Sequence, residues 1–240
     1  MNLENAVERV KSAGVVAIFR KLSPKVVLPL CQAVIAGGAK AVEVTVESEG
    51  AFESIRAIRQ EYGSQLLIGA GTLMTREEVQ QAVEAGADFL LSPHVDAELI
   101  ETARDLGRPF VPGVATPTEV VQALRLGAEV LKLFPASSLG SAYLRDLLGP
   151  FKGTSFIPTG GITVDNAAEF IRAGAVGVGM GSSLASKGKL LTPIGIPLKI
   201  GCGWRWIVLM PRRMGRSRLT ALKAEVFRSS TGKYATSWER

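Results

Sequence analysis

The stretch Leu126-Gly-Ala-Glu-Val-Leu-Lys-Leu133 decides how this chain reads, because three other stretches repeat its plan. They are Ala36-Gly-Gly-Ala-Lys-Ala-Val-Glu-Val44, Ala85-Gly-Ala-Asp-Phe-Leu-Leu91 and Ala173-Gly-Ala-Val-Gly-Val-Gly-Met180. In each, a mixed-charge helical segment ends in glycine, an alanine follows, and a short apolar run begins. Glycine belongs where a helix C-terminus needs a left-handed residue, and alanine lets the strand start in close packing. The alanines are Ala39, Ala87, Ala128 and Ala175, so the spacings are 48, 41 and 47 residues, each with room for two βα units. Further apolar runs fall between them at 15–20, 66–69, 109–112 and 155–158, with helical segments such as 75–84 and 116–125.

Eight short strands, apolar on both faces and alternating with helices, signal a parallel sheet covered on both sides. Eight βα units within about 200 residues predict an α/β fold of the (β/α)₈ TIM-barrel type. An open doubly wound sheet is the alternative, but no Gly-x-Gly-x-x-Gly opens the first βα turn.

Bulk composition agrees. A chain of 240 residues, 47% hydrophobic and 21% charged, can bury a sizeable core and is not a disordered polymer. Its two cysteines, Cys31 and Cys202, form no disulfide framework and suit a reducing compartment. The first residues alternate charged and apolar side chains like an amphipathic helix, without the apolar core of a secretion signal. No apolar run approaches the length of a membrane span. A cytoplasmic location with no membrane partner is the expectation.

The net charge of +6 is unevenly placed. Residues 187–240 carry 12 Lys/Arg against only Glu225 and Glu239, which leaves 16 basic and 20 acidic residues in 1–186. All three tryptophans, at 204, 206 and 238, also lie in this tail. The division is therefore 1–186 as the barrel and 187–240 as an atypical basic tail.

In a TIM barrel the chemistry collects at the C-terminal strand ends. Lys132 stands out there, inside the otherwise apolar Val130-Leu-Lys-Leu-Phe-Pro135. An ammonium in such surroundings is partly desolvated, and desolvation favours the neutral amine, the nucleophile that forms an imine with a carbonyl. The same lysine could instead be a strand-end residue that snorkels to solvent. Glu43, in Ala41-Val-Glu-Val-Thr45, is a second charge inside an apolar strand. It could shuttle protons for the lysine, or form a structural ion pair with it.

Thr159-Gly160-Gly161 and Gly181-Ser182 end the last two strands, where exposed amides and helix N-termini favour an anion such as phosphate. These glycines could equally serve tight turns. Arg20 closes the first strand and could clamp a carboxylate, with Thr72 adding a hydroxyl. His94 is the single histidine. With no second histidine and no acids at ligand spacing, the expectation is a reaction without a metal.

Together these phrases resemble the 2-keto-3-deoxy-6-phosphogluconate (KDPG) / 4-hydroxy-2-oxoglutarate (KHG) aldolase family. The matching pieces are Val16-Ala-Ile-Phe-Arg20, Glu43-Val-Thr45, Gly69-Ala-Gly-Thr72, Leu91-Ser-Pro-His94, Pro112-Gly-Val-Ala-Thr-Pro-Thr-Glu119, Leu131-Lys-Leu-Phe-Pro135, Pro158-Thr-Gly-Gly-Ile162 and Gly181-Ser182. They occur in family order over roughly residues 5–186. The resemblance implies a homotrimeric class I aldolase, a lyase that splits a small, phosphorylated 2-keto acid into pyruvate and an aldehyde. It implies that Lys132 forms the imine with no other cofactor, that Glu43 is the general acid/base, and that Arg20 and Thr72 bind the carboxylate. Pro93 and Phe134 match residues packed around the pyruvoyl group. Thr159, Gly160, Gly161, Gly181 and Ser182 match the substrate channel and its phosphate end.

Two features depart from the family. Many members carry arginine four residues after the catalytic glutamate, where this chain has Glu47, an acid expected to repel an anionic substrate. And where a closing amphipathic helix would follow Ser183-Leu-Ala-Ser-Lys187, this chain runs into Pro, Gly, Arg and Trp. A reading-frame shift that replaced the native C-terminus is the expectation for that tail. The rival readings are a sugar-phosphate isomerase or epimerase on the same barrel, and an inactive barrel whose basic tail binds nucleic acid, with salt-sensitive binding as its mark. Limited proteolysis is expected to remove 187–240 before it cuts 1–186. Equal resistance of tail and barrel would count against this division.

Overall fold

The computed structural model describes residues 3–183 in full and, beyond them, the backbone of five extended segments at 185–186, 189–190, 194–200, 203–211 and 222–227. The first helix is α1 (Leu3–Lys11). Strands and helices then alternate: β1 (Val15–Phe19), α2 (Pro24–Ala36), β2 (Ala41–Thr45), α3 (Ala51–Tyr62), β3 (Leu67–Gly71), α4 (Arg76–Glu84), β4 (Phe89–Leu91) and α5 (Ala97–Asp105). After them come β5 (Phe110–Val111), β6 (Gly113–Val114), α6 (Pro117–Arg125), β7 (Val130–Leu133), α7 (Ala136–Leu148), β8 (Ser155–Phe156), α8 (Val164–Arg172) and β9 (Val178–Met180). The strand expected at 109–112 is divided into β5 and β6 because Pro112 between them has no N–H to give the ladder.

The four glycine-alanine junctions do what their sequence asks. Gly38, Gly86, Gly127 and Gly174 have φ of 88°, 102°, 89° and 111°. Each following alanine donates its amide five residues back, Ala39 to Val34, Ala87 to Ala82, Ala128 to Ala123 and Ala175 to Phe170. This is the Schellman ending, which satisfies the last helix carbonyls and turns the chain directly into the next strand. At the other end of α4 and α6, Thr75 with Glu78 and Thr116 with Glu119 form capping boxes.

Every pairing among β1 to β9 is parallel, in the orders β5-β4-β3-β2-β1-β9 and β6-β7-β8. A parallel bridge from Thr159 to Gly179 lies between the ends of β8 and β9. The sheet is thus curled, with helices outside it, and its side chains alternate. Val42, Val44, Ile68, Ala70, Leu90, Leu131 and Leu133 belong to the large core cluster that also holds the helix faces. Val16, Ala41, Leu67, Phe89, Val111, Val130 and Ile157 face inward and pack with Val7 and Val10 of α1. The amphipathic first helix therefore covers the N-terminal end of the strands and fills that end of the interior with apolar atoms. Only the C-terminal end is left for polar chemistry.

Cys31 is a buried free thiol, and burial pushes it up to about 12, so it stays protonated at physiological pH. Cys202 and Trp238 lie outside the described residues, as does much of the basic tail. The described tail segments are β10 (Ala185–Ser186), β11 (Lys189–Leu190), β12 (Ile194–Ile200), β13 (Gly203–Pro211) and β14 (Leu222–Phe227). They pair antiparallel, β10 with β11 and β12-β13-β14 in order, unlike anything before residue 183. No helix among the described residues is long and apolar enough to cross a membrane.

The cap of α6 gives a direct test. The Ala115 backbone amide, with the Thr116 hydroxyl and amide, holds the Glu119 carboxyl below the usual carboxylate range against a smaller opposing effect of burial. A depressed folded value contributes stability above the unfolded carboxyl value, and that contribution is lost as pH falls through the folded one. Urea unfolding should therefore show Glu119→Gln less stable than wild type near pH 7, by about 1 kcal/mol or less, with the gap closing near pH 3.

Candidate active site

Strand β2 places Ala41, Glu43 and Thr45 on the inner face, one above the other from the apolar end towards the open end. Strand β7 places Val130 and then Lys132 on the same inner face. The two charged side chains meet across the interior, with Lys132 Nζ 3.8 Å from Glu43 Oε1. Both are almost wholly enclosed, the side chains being 6% and 1% exposed. No other ion pair in the described chain is comparably buried.

A separation of 3.8 Å is too long for a hydrogen bond. Glu43 Oε1 makes none to any other described group either. A structural buried bridge earns its place only with close geometry and all its lone pairs satisfied, and this pair has neither. A third, small polar group lying to one side could bond to both.

Gly71 makes room for that arrangement. A Cβ on it would stand 1.8 Å from Glu43 Oε1, so the carboxylate occupies the space of the missing side chain. Over Lys132 lies the Phe134 ring, with Nζ 5.5 Å from its centroid. Phe134 is held because the loop after β7 is tied to the loop after β8: Ala136 N donates to Thr159 O at 2.8 Å, and Ser137 N to Gly160 O at 2.9 Å.

Above the pair opens a cavity of about 580 Å³ at the C-terminal strand ends. All eleven residues singled out from sequence line it: Arg20, Glu43, Thr72, Pro93, Lys132, Phe134, Thr159, Gly160, Gly161, Gly181 and Ser182. A surface groove of about 500 Å³ beside α6 is similar in size but has no buried charge on its lining. The enclosed amine and carboxylate set the first cavity apart.

Thr72 has φ of 62°, a left-handed conformation that a β-branched residue adopts only under constraint. Flanking bonds impose it, Val46 N donating to Gly71 O and Leu73 N to Leu91 O. Strain of this kind collects at functional sites. Gly160 and Gly161 are also left-handed, with φ of 95° and 70°. Among the described residues the amides of Gly161 and Ser182 donate no hydrogen bond. Ser183 Oγ donates to Ile162 O at 2.8 Å and joins the two glycine loops.

One expectation needs correction. The first glycine loop does lead into a helix, α8 with its cap at Thr163. The second does not: after Gly181-Ser182 come a turn and the extended β10, so among the described residues no helix N-terminus adds its field there. Glu47 has a partner that its place in the sequence did not indicate. Its carboxylate does not stand free at the mouth but accepts a 2.6 Å hydrogen bond from Arg20 Nε.

Sequence reading missed Lys21, Leu22, Leu30 and Ile162 on the cavity wall. Adjacency to Arg20 was the available signal for Lys21. Nothing in the pattern of α2 marked Leu30 as turned towards the site. His94, although next to Pro93, is not on the wall; its Nε2 lies 3.9 Å from Asp96 Oδ2. Among the described residues no three His, Cys, Asp or Glu side chains come together as a metal site would require.

The chain is similar to known proteins over this same region. A 2-dehydro-3-deoxy-phosphogluconate aldolase of Treponema pallidum is 41% identical over 167 residues, covering 69% of this chain and 78% of that protein. A 2-dehydro-3-deoxy-6-phosphogalactonate aldolase of Escherichia coli is 37% identical over 175 residues, 72% of this chain and 85% of the relative. Among solved structures, the KDPG aldolase of Legionella pneumophila with pyruvate captured as a covalent carbinolamine superposes with a TM-score of 0.70 at 32% identity, over 74% of this chain and 87% of that one. Residues 6–193 match the family model described as KDPG and KHG aldolase, and with relatives this similar the chain belongs to that aldolase family.

Proposed function

We propose that this protein is a class I aldolase in which Lys132 forms a Schiff base with a 2-keto acid and Glu43 moves the protons. The observation that carries the reading is the enclosed pair, 3.8 Å apart, with an unpartnered carboxylate oxygen at the floor of the cavity. The neutral amine of Lys132 attacks the C2 carbonyl to give a carbinolamine, and loss of water gives the imine. Glu43 can exchange protons with a hydroxyl that lies beside it and Nζ, within hydrogen-bond reach of both. When the C4 hydroxyl gives up its proton, the C3–C4 electron pair flows to the imine nitrogen. An aldehyde leaves and an enamine remains, to be reprotonated at C3 and hydrolysed to pyruvate. Arg20 and Thr72 orient the carboxylate, while Pro93 and Phe134 pack around the pyruvoyl carbons.

The loops of Gly160, Gly161 and Ser182, with Thr159 and Gly181 beside them, would receive the phosphate of a phosphorylated substrate. Relatives named for phosphogluconate and phosphogalactonate support a substrate of this class. An isomerase or epimerase would need the phosphate loops but not an amine sealed against a carboxylate, so the aldolase is the stronger reading.

Three further assignments belong to the same proposal. The two runs of parallel strands form one closed eight-stranded barrel, supported by the Thr159–Gly179 bridge, the Gly179 N to Pro158 O bond and the nearness of β5 and β6 across Pro112. The protein works in the cytoplasm as a homotrimer, with the imine as its only cofactor chemistry and no metal. Residues 1–186 are the catalytic unit, and 187–240 are a replaced C-terminus with no part in nucleic-acid binding.

Borohydride reduction in the presence of pyruvate should add a pyruvate-derived mass to the peptide carrying Lys132. A folded protein without that adduct would sink the proposal. Gly71→Ala should lower kcat by at least about a hundredfold, because its Cβ drives Glu43 from its place. Circular dichroism should meanwhile show the fold retained, and a variant that kept full activity would separate Glu43 from the chemistry.

A further inference from the structure

The bond between Arg20 and Glu47 bears on which substrate the cavity prefers, an inference that rests on the function proposed above. Arg20 lines the cavity and Glu47 does not. Glu47 Oε1 takes the Nε edge of the guanidinium at 2.6 Å, which leaves the Nη1–Nη2 edge for another anion. The placement is built into two loops. Lys21, left-handed at φ of 53°, donates its amide to Ser48 Oγ at 2.8 Å. That hydroxyl in turn lies 3.1 Å from Thr45 Oγ1, both side chains being buried. These bonds fix the residue after Arg20 against the residue after Glu47, so the ion pair is not a chance meeting of two surface side chains.

Arg20 also follows β1, which pairs directly with β9, the strand that delivers Gly181 and Ser182. The pairing brings the end of β1 beside the end of β9, and Arg20, Gly181 and Ser182 line the same cavity. Any ligand anion gains from Arg20 and loses from Glu47, and the loss grows with each negative charge the ligand carries. A phosphate bears more charge near neutral pH than a carboxylate. Glu47 therefore weighs most heavily on the phosphorylated substrate.

We propose that Glu47 is a specificity-determining residue, which by neutralising Arg20 lowers the preference of the cavity for a phosphorylated ligand relative to a dicarboxylate. In this chain the acid brings the two substrate classes closer in affinity.

Calorimetry with 3-phosphoglycerate and malate as probes tests this without depending on catalysis. Glu47→Gln should raise the ratio of phosphoglycerate to malate affinity by roughly threefold to tenfold at low salt. The gain should shrink at about 0.5 M salt, since the effect is a screened charge interaction. Glu47→Asp, which keeps the charge, should leave the ratio near the wild-type value. An unchanged or lowered ratio in Glu47→Gln, a gain insensitive to salt, or no 3-phosphoglycerate binding to either protein would overturn the proposal. A missing Lys132 adduct would sink the aldolase reading alone, because these affinities are read in the absence of any reaction.

Discussion

A lysine and a glutamate enclosed on the inner faces of two curled runs of parallel strands set the terms for the rest of the molecule. Burying either charge alone is costly, and the pair is tolerated because each partly offsets the other's desolvation. Below the pair the interior is filled with apolar side chains. Helix α1 contributes to this, with Val7 and Val10 packed against Val16, Leu67, Phe89 and Val130. The interior is thus graded along the strands, from dry at their N-terminal ends to open at their C-terminal ends. Chemistry is confined to the open end because only there can a substrate reach the amine.

Around the pair, the neighbouring elements are shaped by what they must leave empty as well as by what they contact. Gly71 yields its side-chain space to the Glu43 carboxylate. The turn after β3 holds Thr72 in a conformation it would not choose, and the loop after β8 holds two successive left-handed glycines. Each costs conformational energy that the surrounding bonds supply. The parallel ladder, with its evenly spaced pairing, keeps these loops at one rim.

Much of this was legible in the chain. The four glycine-alanine junctions encode helix endings by local chemistry alone, since a left-handed residue must be glycine to be cheap. The inward set at 41, 43 and 45 follows from the two-residue period of a strand, as does the position of Lys132 two residues beyond Val130. All the residues assigned to the site prove to line one cavity, because strand order and strand ends suffice to place them. What escaped were contributions from outside the strand ends, such as Leu30 from α2, whose helix is apolar on too many sides to reveal which one faces the site.

The sequence by itself determined the alternation of strands and helices, the inward face of each strand and the family to which the chemistry belongs. Those properties depend on neighbours within a few residues or on motifs in a fixed order. Only the tertiary structure decided that Lys132 and Glu43 stop 3.8 Å apart with an oxygen unpartnered, and that Glu47 binds Arg20 instead of standing free at the mouth. The physical reason is distance along the chain. Lys132 and Glu43 are 89 residues apart and Arg20 and Glu47 are 27, so their separation in space is set by the curl of the sheet and the loops between strands. No local pattern carries that information.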